Sequence, residues 1–154
     1  MSINKIIIGF IIILLLFSGY IMYQINTTPL PKSRITIDNH SFLIEVATNS
    51  AQQQLGLSKR TTLPQNQGML FIFKTPDRYA FWMKDMNFPL DLIFINNNKI
   101  VTIYQNVPEP KNGNTNLPIY TPDESANQVF EINAGLSKQY GFKKGDSITI
   151  DLKH

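Results

Sequence analysis

Two carboxylates stand where their strand neighbours are apolar. Asp91 lies in Leu90-Asp91-Leu92-Ile93-Phe94-Ile95, and Glu131 lies in Val129-Phe130-Glu131-Ile132. A carboxylate withdrawn from water needs hydrogen-bond donors or a cation; otherwise its pKa rises. Lys84 is the nearest cation to Asp91 in sequence. It lies across a polar elbow that ends at Pro89, where two strands would bring the pair together. Two carboxyl groups facing one pocket are the minimum for general acid/base chemistry or glycosidic hydrolysis, which makes Asp91 and Glu131 the catalytic candidates. Period-two alternation could instead turn both to solvent, or both could anchor backbone amides. Trp82, Tyr79 and Tyr120 offer flat faces to a sugar or another planar ligand, although aromatics at strand spacing also build cores. Asn133 suits a cap on the helical turn that follows it, or a ligand contact. The candidate ligand-binding set is therefore Trp82, Lys84, Asp91, Tyr120, Glu131 and Asn133. Met69, Met83 and Met86 read as core fillers rather than as a soft-metal site.

Composition removes several other chemistries. The chain has no cysteine, which excludes disulfides, thiol catalysis, zinc–thiolate sites and lipoprotein attachment. It has two histidines, His40 and the terminal His154. A metal site or a serine triad would have to recruit His40 from the turn Asp38-Asn39-His40-Ser41, where a solvated role fits better. No metal or cofactor is expected. Lys144-Gly145-Asp146 is an ordinary turn, and no glycine-rich phosphate loop is present. The net charge is +3, and Lys59-Arg60 and Lys143-Lys144 are the only adjacent basic pairs. Nucleic-acid binding normally needs a clustered basic stripe, so no nucleic-acid partner is expected.

The elements that must position these residues begin after an apolar N-terminus. Residues 6–23 (IIIGFIIILLLFSGYIMY) carry no charge. As a helix they would span about 27 Å, close to the roughly 30 Å of a bilayer core. Tyr20 and Tyr23 fall where interfacial aromatics belong. Leu16 and Phe17 are poor residues for a signal-peptidase site beside Ser18-Gly19, so the segment reads as an uncleaved anchor. Lys5 and the terminal amine precede it, which keeps the N-terminus cytoplasmic and places the domain on the extracytoplasmic side of the cell membrane. The organisation expected is a membrane anchor over residues 1–25, a Pro-bounded linker over 26–33 and a β-rich domain over 34–154.

Within that domain, residues 34–37 and 42–46 read as a hairpin that buries Ile35, Ile37, Phe42, Ile44 and Val46. Thr48 or Ser50 caps a short helix ended by Gly56. Strands are expected at 69–73, 79–83, 90–95, 99–107, 128–132 and 147–152, with a turn at Asn96-Asn97-Asn98 and a second helical turn at 136–140. Residues 108–124 form a long polar loop, a length often used for lids or binding loops. The fold class is mostly β (α+β), a small barrel-like or sandwich domain with two short helices, and it suits these elements better than a βαβ sheet does.

Phe81-Trp82-Met83-Lys84, Pro89-Leu90-Asp91 and the apolar strand that follows resemble the DUF192 family, also called UPF0127. Gly56-Leu57, Gly68-Met69-Leu70-Phe71, Glu131-Ile132-Asn133-Ala134-Gly135 and Gly145-Asp146 extend the likeness in order. The resemblance implies a compact, mostly β domain, often exported behind a signal or anchor, and it supplies no reaction. Lys84, Asp91, Glu131 and Asn133 match the family pattern. Asp85-Met86 stands where the family usually has Asn-Thr, and Asn112-Gly113-Asn114-Thr115 where many members have a cysteine.

Three functions fit these residues. The first is a binding or accessory module for a polar envelope ligand such as a polysaccharide, with the long loop covering its groove. Alanine at Lys84 or Asp91 should then abolish binding and spare stability. The second is a hydrolase of cell-envelope polymers that uses Asp91 and Glu131 as its acid/base pair. The third is a structural partner of another envelope protein, with an exposed apolar patch and no polar pocket.

Overall fold

The computed structural model describes residues 13–18, 33–111 and 116–153. Residues 13–18 are helical; the rest of the expected span 6–23, linker residues 26–32 and loop residues 112–115 lie outside the described residues. Among the described residues no helix is long and apolar enough to cross a membrane. The chain divides into two units, Met1–Pro31 and Lys32–His154, and the strands described below belong to the second.

That second unit is mostly β. The strands are β1 (Arg34–Ile37), β2 (His40–Ala47), β3 (Gln67–Asp77), β4 (Leu90–Asn96), β5 (Lys99–Val107), β6 (Ala126–Asn133) and β7 (Ile148–Asp151). Two short helices join them, α1 (Ser50–Leu55) and α2 (Leu136–Gln139). All seven strands form one sheet in the order β5-β4-β6-β3-β2-β1-β7. The sheet curls into a half-barrel until its two edge strands meet at one end. There Lys99 bridges Ser147, the Ile148 amide donates to the Asn98 carbonyl at 2.8 Å, and the Gly145 amide donates to the Ile100 carbonyl at 2.8 Å. The expected barrel-like form is therefore found, and the sandwich, which needs two sheets, is not.

The pairings are antiparallel except β2 with β3, which run parallel. A parallel pair cannot be joined by a tight turn and needs a crossover over one face of the sheet. Residues 48–66 are that crossover, and α1 is its helix, so one βαβ unit sits inside an otherwise antiparallel fold. With this crossover over it, the outer face of the sheet carries buried apolar side chains as the inner face does. Ile35, Ile37, Phe42, Ile44, Leu70, Ile93, Phe130 and Ile132 fill the inside of the half-barrel. Leu57, Met69, Phe71, Leu92, Phe94 and Val129 pack beneath the crossover and the segment before β4.

Local structure follows the sequence closely at the turns. Asn97 (φ 49°) and Asn98 (φ 57°) both take the left-handed conformation, as asparagine tolerates. α1 is capped by Asn49, between the two expected residues. Asn49 accepts from the Gln52 amide, and the Gln52 side chain accepts from the Asn49 amide, a reciprocal capping box. His40 is not a solvated turn residue. It opens β2, and its ring stacks on Tyr140 with centroids 4.0 Å apart.

Candidate functional site

Asp91 is completely buried and fully partnered. Its carboxylate accepts from the amides of Asn106 (2.7 Å), Gly135 (2.9 Å) and Ser137 (2.8 Å), and from the Ser137 hydroxyl (2.6 Å). Those donors come from the end of β5 and from the turn into α2. Asp91 thus ties two chain segments to β4, and four donors supply the solvation that water no longer gives. The amide-anchoring alternative is the one this residue adopts. It carries no ion pair with Lys84.

Glu131 is the opposite case. It is 6% exposed, yet its carboxyl makes no hydrogen bond or ion pair among the described residues. Its cross-strand neighbours are Met69 on β3 and Leu92 on β4, both apolar. Burial without donors pushes its pKa up from 4.5 to about 8, so the group holds its proton at neutral pH. The register also separates the two carboxyl groups. Asp91 pairs with Ile132, and Leu92 pairs with Glu131. Because side chains alternate faces, Asp91 lies on the inner face and Glu131 on the outer. The expected acid/base pair does not form.

Glu131 opens into a cleft of about 640 Å³ on the outer face. One wall is α1 and the loop after it, through Gln53, Gly56 and Leu57; the other is the segment before β4, through Phe81, Trp82 and Lys84. Phe71 and Glu131 line its base. α1 has no buried residue, so it is not held by an apolar face. Instead Gln53 Nε2 donates to the Ile72 carbonyl at 2.9 Å, and Gly56 turns the chain at φ 51°, where a Cβ would meet the Phe71 ring at 3.4 Å. No residue of this wall was a sequence candidate. The signals for it were the cap and the Gly56-Leu57 step.

The opposite wall is not the strand expected at 79–83. β3, β4 and β6 already have partners on both sides, and Phe81 finds a single bridge to Tyr120. The segment still alternates: Met83 and Met86 plug into the outer core, while Trp82 (60% exposed) and Lys84 face out. Asp85 takes φ 59°, a left-handed turn that asparagine and aspartate both accommodate, so the departure from the family's asparagine costs the backbone little. Lys84 Nζ lies 5.9 Å from the centroid of the Trp82 ring and makes no ion pair among the described residues. Arg60 is committed elsewhere. It forms two 2.7 Å hydrogen bonds to Glu45, and the guanidinium holds that carboxyl below its ordinary range.

Tyr120 and Asn133 do not line this cleft. Tyr120 exchanges backbone hydrogen bonds with Phe81 at 2.9 and 2.8 Å and packs its ring on Tyr104. Asn133 donates to the Leu63 carbonyl at 2.8 Å rather than capping α2, whose N-cap is Gly135. The described parts of the loop 108–124 also stay out of the cleft. They fasten behind its wall, where Tyr104 Oη donates to the Thr121 carbonyl at 2.6 Å and Arg78 Nε donates to the Pro122 carbonyl at 2.9 Å. The expected set therefore splits: Trp82, Lys84 and Glu131 share one cleft, while Asp91, Tyr120 and Asn133 hold the scaffold. Among the described residues no group of three metal-ligating side chains occurs.

With this geometry in view, comparison with other proteins is informative. The sequence profile of DUF192, described as "Uncharacterized ACR", matches residues 33–150. The chain belongs to the DUF192 family. No curated protein matches it significantly. Among solved structures the DUF192 domain is similar to a proposed transcription regulator from Sinorhizobium meliloti 1021, with 29% identity and a TM-score of 0.70 over 80% of this chain and 96% of that one. It is also similar to a protein of unknown function from Novosphingobium aromaticivorans DSM 12444, with 30% identity and a TM-score of 0.68 over 80% of this chain and 88% of that one.

Proposed function

We propose that this DUF192 domain is a binding module, tethered outside the cell membrane, whose cleft takes a small polar ligand of the cell envelope. The observation that carries the reading is Glu131: a carboxyl withdrawn from bulk water with no donor among the described residues, at the base of an open cleft. Scaffold carboxylates are partnered as Asp91 is, and an unpartnered one in a cavity is a group kept for something that arrives. Trp82 supports the reading, since a large ring left 60% exposed at the cleft wall contributes little to the core. The 18 uncharged residues 6–23, preceded by Lys5, support the tether.

A hydrolase using two carboxylates loses its geometry, because Asp91 and Glu131 occupy opposite faces. A purely structural partner would have no polar-walled cleft. A nucleic-acid role, which the printed name of one neighbour raises, would need a basic stripe, whereas Lys84 is the single basic residue lining this cleft and Asp85 stands beside it.

Trp82 and Lys84 are exposed, so W82A and K84A remove ligand contacts without opening the core. In NMR titrations with solubilised envelope fragments, the parent protein should show shifts around residues 53–58 and 81–86. W82A should weaken binding by about two- to tenfold, the scale of a lost stacking contact, with an unchanged melting temperature. Shifts confined to other surfaces would overturn the reading.

A further inference from the structure

We propose that the base of this cleft is a cation subsite, which takes the protonated amine of a small ligand against the Glu131 carboxylate. The inference rests on the cleft being a ligand site and names the chemistry of what enters it.

Two observations point to a cation. The first is what surrounds Glu131. Met69 and Leu92 flank it across the sheet and supply no hydrogen-bond donor. Among the described residues no positive group pairs with it: Arg60 is bound to Glu45, and Lys84 makes no ion pair. The other ionisable residues that line the cleft are Tyr79, Lys84 and Asp85; α1 contributes serine and glutamine but no charge, and the sheet positions beside Glu131 are apolar. The countercharge that would let this carboxyl ionise is therefore not built in, and a ligand can bring it. The second observation is the aromatic walls. Phe71 and Phe81 meet edge-to-face with centroids 5.1 Å apart, and Trp82 stands beside them at the opening. Ring faces attract cations, and Trp82 already draws one, the Lys84 amino group at 5.9 Å. An anion would meet a buried carboxyl and aromatic walls there. A neutral hydroxyl would gain less from the rings' quadrupoles than a full positive charge does.

The proton balance follows. In the free protein the carboxyl is neutral at pH 7 because burial raises its pKa to about 8. An arriving ammonium stabilises the carboxylate, so binding forms a carboxylate–ammonium pair and releases the Glu131 proton to solvent. Affinity should therefore rise with pH, by on the order of 50-fold between about pH 6 and pH 8, and then level off until the amine itself loses its proton.

The test titrates the full-length protein in detergent micelles with n-butylammonium chloride, sodium butyrate and N-acetylglucosamine, read by NMR with specific labelling of glutamate carboxyl carbons. Butylammonium should bind saturably at residues 53–58 and 81–86, tighten with pH as stated and move the Glu131 carboxyl signal to its ionised position. E131Q should weaken it at least tenfold and remove the pH dependence, and W82A should weaken it while leaving that dependence intact. If N-acetylglucosamine binds the cleft in a Trp82-dependent way and butylammonium does not, the binding reading stands and the cation subsite is wrong. Butyrate binding there more tightly than butylammonium has the same meaning. If none of the three perturbs the cleft, both readings fall.

Discussion

Asp91 and Glu131 carry the same functional group into the same sheet, and the protein treats them in opposite ways. Four donors surround the first, and none among the described residues reaches the second. This difference has a thermodynamic signature. A carboxyl whose folded-state pKa is about 8 against 4.5 unfolded favours the fold fully at acid pH, where both states are protonated. Between about pH 4.5 and pH 8 the unfolded chain releases this proton and the folded one keeps it, so stability falls across that window and levels off above it. E131Q removes the titration and keeps the shape. It should exceed the parent in stability by about 4 kcal/mol at pH 8 and by little near pH 4, as urea melts at the two pH values would show. A parent protein equally stable at both, relative to E131Q, would mean the carboxyl has a partner. At this scale the sequence was legible in part. That Asp91 and Glu131 were unusual could be read from their apolar neighbours. Which of them was solvated could not, because the donors to Asp91 come from Asn106, Gly135 and Ser137, residues 15 to 46 positions away. Their separation onto opposite faces needed the β4–β6 register, which one strand's alternation does not fix.

The elements divide into those that close the fold and those that shape the cleft. α2 belongs to the first group: its leading turn is bound by Asp91 through Gly135 and Ser137, and the same carboxylate reaches the end of β5 through Asn106. D91A should therefore cost about 4 kcal/mol in denaturant unfolding, since it leaves buried donors unmatched. This is a scaffold effect, and not the stability-neutral loss of binding that the sequence suggested. α1 belongs to the second group, because it buries no side chain and is held by its cap and by Gln53. The hairpins and the Asn97-Asn98 turn were legible because their signals are local. The parallel β2–β3 pair was not, because pairing across a 19-residue crossover leaves no periodic trace. The segment at 79–83 misled for a related reason. Its alternation is real, since Phe81 and Met83 face in and Trp82 and Lys84 face out, but alternation alone does not provide a strand to pair with.

The whole molecule combines an apolar N-terminal stretch with a half-barrel whose crossover leaves a cleft on the outer face. If the stretch is an anchor, the full-length chain should sediment with membranes through carbonate washing, and protease should digest the domain only when added to the extracytoplasmic side. Release by carbonate, or digestion only after cell lysis, would separate the domain from that location. The cleft does not depend on that outcome. Its meaning turns on one proton, and the most direct measurement is an NMR pH titration of the Glu131 carboxyl carbon in the ligand-free protein, assigned by its disappearance in E131Q. The structure predicts a midpoint near 8, well above the ordinary glutamate range. A midpoint near 4.5 would show a carboxylate already satisfied, and the cleft would then have no group in waiting.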